Sequence, residues 1–386
     1  MKQEKLHICL NLINDKNWHA GNIYIFNIVY ALATLPKAER ANIKLSIAAR
    51  SKKDIPEDIQ NKLDGIYIDT TIVLIWYKLL KMLPASFRLK IFNFRKIDFY
   101  YPVGNLPKKW IFNWAGWIPD FQFKHLPHLF SEEECVQRQN RNLYLVNNAP
   151  LIAFSSQHAM NDYKQFHPTY TNTPFLLRFV SKVNEDWLNE DAVLTQRKFN
   201  LPHQFFIVCN QFWKHKDHHT IIEAISILKQ KGIAINVVCT GSTEDFRNPE
   251  YYPSLLEQVK ELGLEEQFIV LGFISRHDQI QLIRRSLAII QPSLFEGWST
   301  VVEDGRSLGK TIFLSDLSVH FEQNPLYTFF FQQKNSTQLA ENISMNLNNL
   351  KQGPIIEMEQ HAFIQNQRMM LDFGYRIVEM AKQLAQ

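Results

Sequence analysis

The chain has 386 residues, 46% hydrophobic and 21% charged, a composition that excludes a disordered chain, a collagen-like repeat and a disulfide miniprotein. Its 42 Lys and Arg against 38 Asp and Glu leave a net charge of +4, too small a surplus over this length to argue for nucleic acid. Length alone predicts two domains or one large one. The N-terminal segment MKQEKLHICLNLIND lacks the apolar core and small-residue cleavage site of a signal peptide. KLHICLNLI reads as a strand, followed by a loop carrying Gly21 and an apolar helix, IYIFNIVYALATL. Further strands are expected at IKLSIA, IDFYY, WIFNWAG and LIAFSS.

No uninterrupted run of about 20 apolar residues is present; the best, TTIVLIWYKLLKMLP, is broken by Lys78 and Lys81. The expectation is a soluble, cytoplasmic protein. The stretch 78–96, KLLKMLPASFRLKIFNFRK, mixes six cations with Leu, Met and Phe. It has two readings: a peripheral contact with an anionic membrane, or core elements whose charges are solvated. Cys9, Cys135, Cys209 and Cys239 form no C-x-x-C pair, and Cys9, Cys209 and Cys239, each in an apolar run, read as small buried hydrophobes in a reducing compartment.

The segment Val180–Leu201 is polar and precedes a fresh strand, marking a domain boundary. One domain is therefore expected over 1–185, with a C-terminal helix at about 365–386 packing back on it, and a second over 195–364. In the second, FFIVC, INVVCTG, QFIVLG, LAIIQPS and TIFLSD alternate with helical patterns closed by Gly232, Gly263 and Gly309. That alternation predicts a parallel, doubly wound sheet, which binds ligands at the carboxyl ends of its strands. Two α/β halves make a cleft between them the expected site.

The segment QPSLFEGWSTVVEDGRSLGK (291–310) carries the densest signal. Glu296 follows a buried strand, where an unpaired carboxylate is costly. Thr300 and Glu303 fit a capping box, with Thr300 as N-cap. The amides of about Ser299 to Val302 would then form an anion site at a helix N-terminus. Gly305 within the helix implies close backbone packing or a nearby ligand. In CNQFWKHKDHHTIIEA (209–224), Lys216 is a cation in the loop after a strand, suited to a departing diphosphate. His215, His218 and His219 lack a partner at ligand spacing, so no metal is expected.

These residues resemble glycosyltransferase family 4, retaining enzymes of GT-B fold that use nucleotide sugars. The family's Glu-x7-Glu motif aligns with Glu296 and, eight residues on, Asp304 in place of Glu; Glu303 is one residue early and is assigned to the cap. Asn210 and Lys216 match the family's pair on the donor diphosphate, with Asn for the commoner Arg. WAGWIPDFQ resembles a W-I-(P/H)-D-F-Q pattern of the subset acting on bacterial surface polysaccharides, making Asp120 a candidate near sugar and acceptor. AFSSQHAMNDY and FLLRFVS resemble further family stretches. GFISRHDQ resembles the loop that meets the nucleobase, so Phe273 and Ile274 join Gly241 as donor contacts. Gly21 sits where the family has a Gly-rich loop after the first strand.

The resemblance implies two Rossmann-like domains facing across a cleft. It implies a retaining, hexosyltransferase-type transfer from a nucleoside diphosphate sugar to a hydroxyl acceptor, a glycan or a lipid-linked one, in polysaccharide or glycolipid biosynthesis. Glu296, Lys216 and Asp120 are the catalytic candidates; Asn210, Ser299, Thr300, Val301, Asp304, Gly241, Phe273 and Ile274 complete the donor side, and Gly21 and Asp120 the acceptor side. No Asp-x-Asp occurs, so transfer without a metal or other cofactor is expected. Two alternatives keep the fold: a nucleotide-sugar epimerase or phosphorylase, and a non-catalytic protein binding a nucleotide sugar or glycan.

Overall fold

A computed structural model describes residues 5–13, 19–68, 97–104 and 113–385. The stretch 78–96 lies outside the described residues. The chain divides into two compact units, one of residues 1–119, 136–180 and 367–386, the other of 120–135 and 181–366. Residues 120–135, placed by sequence in the N-terminal half, therefore pack within the second unit.

The first unit is built on a seven-stranded parallel sheet of β1 (Leu6–Asn11), β2 (Ile43–Ala49), β3 (Gly65–Ile68), β4 (Phe99–Tyr101), β5 (Asn113–Ile118), β6 (Leu151–Phe154) and β7 (Thr173–Leu176), in the order β3-β2-β1-β4-β5-β6-β7. Helices α1 (His19–Ala33), α2 (Glu132–Asn148) and α3 (Gln157–Phe166) connect these strands. Gly21 lies in the first turn of α1 and is buried, not in the loop expected from sequence. The helical apolar pattern of α1 extends further toward the N-terminus than the glycine suggested. First-turn amides have no intrahelical partner, so a Gly there costs little order.

The second unit holds β8 (Phe206–Cys209), β9 (Val237–Thr240), β10 (Phe268–Gly272), β11 (Ile289–Gln291), β12 (Ile312–Ser315) and β13 (Thr328–Phe331), all parallel, in the order β10-β9-β8-β11-β12-β13. Its main helices are α4 (His218–Gln230), α5 (Tyr251–Glu261), α6 (Arg276–Arg285), α7 (Thr300–Ser307), α8 (Ser318–Gln323) and α9 (Ser336–Asn346). Strand side chains alternate between two cores: Phe206 and Val208 join one, Ile207 and Cys209 the other. Both faces are thus covered by helices, which is why these strands read as continuous apolar runs. The final helix, α10 (Ile356–Ala385), contributes to both units, its residues from Gln367 onward belonging to the first.

The strand order reverses between β8 and β11. That reversal defines the topological switch point, where open parallel sheets hold ligands beyond the strand ends. Asn210 directly follows β8, and Gln291 closes β11. Among the described residues no helix is long and apolar enough to cross a membrane.

Candidate functional site

At the switch point the second unit gathers a buried polar cluster. Lys216 Nζ lies 2.5 Å from Glu296 Oε1, with only 16% and 10% of the two side chains exposed. The same Oε1 accepts from Gln291 Nε2 at 2.8 Å and from Ser293 Oγ at 2.7 Å. Gln291 Oε1 accepts from Asn210 Nδ2 at 2.8 Å. The two loops are also tied by backbone, Leu294 N donating to His215 O at 2.8 Å. Burial pushes the Glu296 carboxyl up, but the Lys216 ammonium beside it prevails and holds it below the ordinary glutamate range. Burial, with Lys216 next to it, drives the His215 imidazole down to about 3, so it stays neutral.

Helix α7 starts one residue earlier than its sequence suggests. Ser299, not Thr300, is the N-cap, its side chain accepting from Val302 N. Glu303 is consequently one position too far along to fold back on the cap. It points instead to Arg306 at 3.2 Å and to Gln323 at 2.8 Å. The Ser299 amide is also occupied, donating to Gln323 Oε1 at 3.2 Å. The amides of Thr300 and Val301 have no partner among the described residues, which leaves those two open at the start of α7. Gly305 faces the sheet, where an added Cβ would come within 2.6 Å of Ile312 and 2.8 Å of Ile289. Close packing, not a ligand, explains that glycine.

Glu303 is fully buried, and burial raises its carboxyl to about 7 from an ordinary value near 4.5, outweighing the Arg306 contact. A raised acid binds more protons folded than unfolded between those two values, so its contribution to stability is complete below about 4.5 and is lost as pH rises through 7. Glu303→Gln should gain on the wild type across this window by up to about 3 kcal/mol, read as urea midpoints at pH 5 and pH 8. Parallel pH profiles would contradict the assignment.

Asp304, the second motif position, is closed. Its carboxylate is 1% exposed and accepts from both terminal nitrogens of Arg276 at 2.5 Å and from Ser181 Oγ at 2.5 Å. Arg276 opens α6 directly after the G-F-I-S loop. Neither Arg276 nor Ser181 was singled out by sequence; partners so far apart in the chain leave no local signal. Gln291 did leave one, a polar residue inside the apolar run LAIIQPS.

The other predicted donor residues are dispersed. Phe273 is 68% exposed, whereas Ile274 packs against a core cluster. Gly241 serves the backbone: its φ is +134°, and a Cβ there would fall 2.3 Å from the Asn210 carbonyl oxygen. Gly241→Ala should therefore push the Asn210 loop out of register and cost about 3 kcal/mol, checked by thermal unfolding; a melting point equal to the wild type would contradict this.

Asp120 is half-buried, and its Oδ1 accepts from Gln122 N at 2.9 Å, which starts a short helix, Gln122–His125. Its segment adjoins the motif loop within the second unit. The His125 and Phe295 ring centroids are 5.2 Å apart, and Arg247 lies over Phe130 while its Nε donates to Glu134 at 3.1 Å.

Residues 191–368 match the family model described as glycosyl transferases group 1. Solved structures align over nearly the whole chain. HepE of Anabaena, in complex with UDP and glucose, superposes with a TM-score of 0.66 at 14% identity, over 99% of this chain and 100% of that one. A glycosyltransferase from Rickettsia africae gives 0.68 at 16%, over 99% of each chain, and sucrose-phosphate synthase from Thermosynechococcus elongatus 0.65 at 14%, over 98% and 99%.

The fold is GT-B. Together the family match and the neighbours support a glycosyltransferase of this fold. No curated protein sequence matches the chain. The matched segment contains the whole polar cluster: Asn210, Lys216, Gln291, Glu296 and the start of α7.

Proposed function

We propose that the chain is a retaining, metal-independent glycosyltransferase that moves a hexose from a nucleoside diphosphate sugar to a hydroxyl acceptor in polysaccharide or glycolipid synthesis. The observation that carries this reading is the Lys216–Glu296 pair at the switch point of the second sheet, together with two amides at the start of α7 that have no partner among the described residues. A diphosphate needs positive charge as it departs. Lys216 and the Thr300 and Val301 amides supply it from fixed positions, a task other enzymes give to a metal ion. Glu296 turns its second oxygen to the sugar.

In the transfer, the acceptor oxygen bonds to the anomeric carbon as the bond from that carbon to the diphosphate oxygen breaks. The acceptor proton passes to the departing phosphate. No enzyme nucleophile is required, and the anomeric configuration is retained. HepE of Anabaena was solved with UDP-glucose, which makes uridine donors the first to try. Asp304 is assigned to the ribose side of the nucleotide, acting together with the Arg276 it binds. Asp120 is assigned to the acceptor.

The test is incubation with a radiolabelled nucleoside diphosphate sugar and a panel of glycan and lipid-linked acceptors in excess EDTA, with the product anomer read by NMR. Labelled product of retained configuration is expected. An inverted product overturns the retaining assignment, and activity recovered only with a divalent ion overturns metal independence. One observation favours the non-catalytic alternative: the second motif acid is closed by Arg276. Donor binding without transfer to any acceptor would support it.

A further inference from the structure

The polar cluster has a fixed hydrogen-bond direction. An ionised Glu296 can only accept, so Gln291 must turn its amide nitrogen toward it, as the 2.8 Å contact shows. The carbonyl oxygen of Gln291 then faces Asn210, which must answer with its own nitrogen. Reversing either amide would set oxygen against oxygen. Glu296 therefore dictates, through Gln291, that Asn210 turns its NH2 group inward and its carbonyl oxygen outward.

Two oxygens remain. Asn210 Oδ1 and Glu296 Oε2 meet no donor among the described residues. Neither belongs to the buried polar atoms that lack a partner among the described residues, although Asn210 as a whole is 3% exposed. The cluster thus presents two acceptors beside the Lys216 ammonium. A phosphate oxygen placed on Asn210 Oδ1 would meet it lone pair to lone pair, whereas a hydroxyl would donate to it.

We propose that Asn210 is a specificity-determining residue that accepts a hydrogen bond from a hydroxyl of the transferred sugar, not a contact to the diphosphate. The sugar then spans the outward oxygens of Asn210 and Glu296, and the diphosphate falls to Lys216 and the α7 amides. This departs from the diphosphate role that sequence resemblance gives position 210, and it rests on the donor-binding reading above.

The experiment measures dissociation constants by titration calorimetry for matched pairs, UDP with UDP-glucose, GDP with GDP-mannose and ADP with ADP-glucose. It uses the wild type, Asn210→Leu and Lys216→Met. In the pair that the wild type binds, Asn210→Leu should leave the bare nucleotide within about twofold and weaken the nucleotide sugar about tenfold. Equal weakening of both would put Asn210 on the diphosphate and overturn the proposal. No change in either, with Lys216→Met weakening both, would overturn it while leaving the donor reading intact. A wild type that binds none of the pairs removes the donor reading and this proposal with it. If Leu is not tolerated at this position, the same ratio is read on Asn210→Ala.

Discussion

Glu296→Gln is expected to lower turnover about a hundredfold with the protein still folded. The substitution keeps the shape and removes two things at once. Three donors converge on Oε1, from Lys216, Gln291 and Ser293, so the new amide must turn its oxygen inward and its nitrogen outward. The outward acceptor becomes a donor, and a sugar hydroxyl bonded to it must reverse its hydrogen bond and accept. The carboxylate charge is also lost beside a sugar whose anomeric carbon gains positive charge as the diphosphate leaves. Steady-state kinetics on the preferred donor check this, with a loss concentrated in kcat. Turnover equal to the wild type would remove Glu296 from the chemistry.

Lys216→Met should show both a stability and a chemical effect. Breaking a buried ion pair leaves its partner charged and unpaired, which costs about 3 kcal/mol or more; here the stranded group is Glu296, 10% exposed. Turnover should fall about a hundredfold as well, because the leaving diphosphate loses its cation. The double variant Lys216→Met, Glu296→Gln separates the two effects. Removing both charges should restore most of the melting temperature, yet turnover should remain lost. Recovery of turnover along with stability would reduce the pair to a structural ion pair.

Strands β8, β9, β11 and β12 of the second unit were legible because each is buried on both faces and reads as a short apolar run between turn residues, as in FFIVC and TIFLSD. β13 (Thr328–Phe331) escaped notice: TFFF follows Tyr327 at positive φ and three of its four residues are only half-buried. β3 (Gly65–Ile68) is as short, and opens on a glycine, which argues against a strand interior. The site was legible where its residues lie close in sequence, as Glu296 and the start of α7 do. It was not legible where the sheet brings distant residues together. Gln291 and Asn210 meet across the strand reversal, 81 positions apart, and Arg276 meets Asp304 from the start of another helix, 28 positions away. The cap was misplaced by one residue because Ser299 and Thr300 are both good N-caps, and only the backbone chooses between them. That single step moved Glu303 from the cap to Arg306.

The central claim is that the polar cluster at the switch point of the second sheet holds a nucleoside diphosphate without a metal ion. Thermal unfolding with UDP, GDP, ADP, CMP and dTDP, each with and without EDTA, tests it most directly. A ligand at a hundredfold excess over its dissociation constant adds about 2.7 kcal/mol to the state that binds it. One nucleoside diphosphate should raise the melting temperature, equally in EDTA, and the shift should vanish in Lys216→Met. No shift with any nucleotide, or one that EDTA abolishes, would contradict the claim.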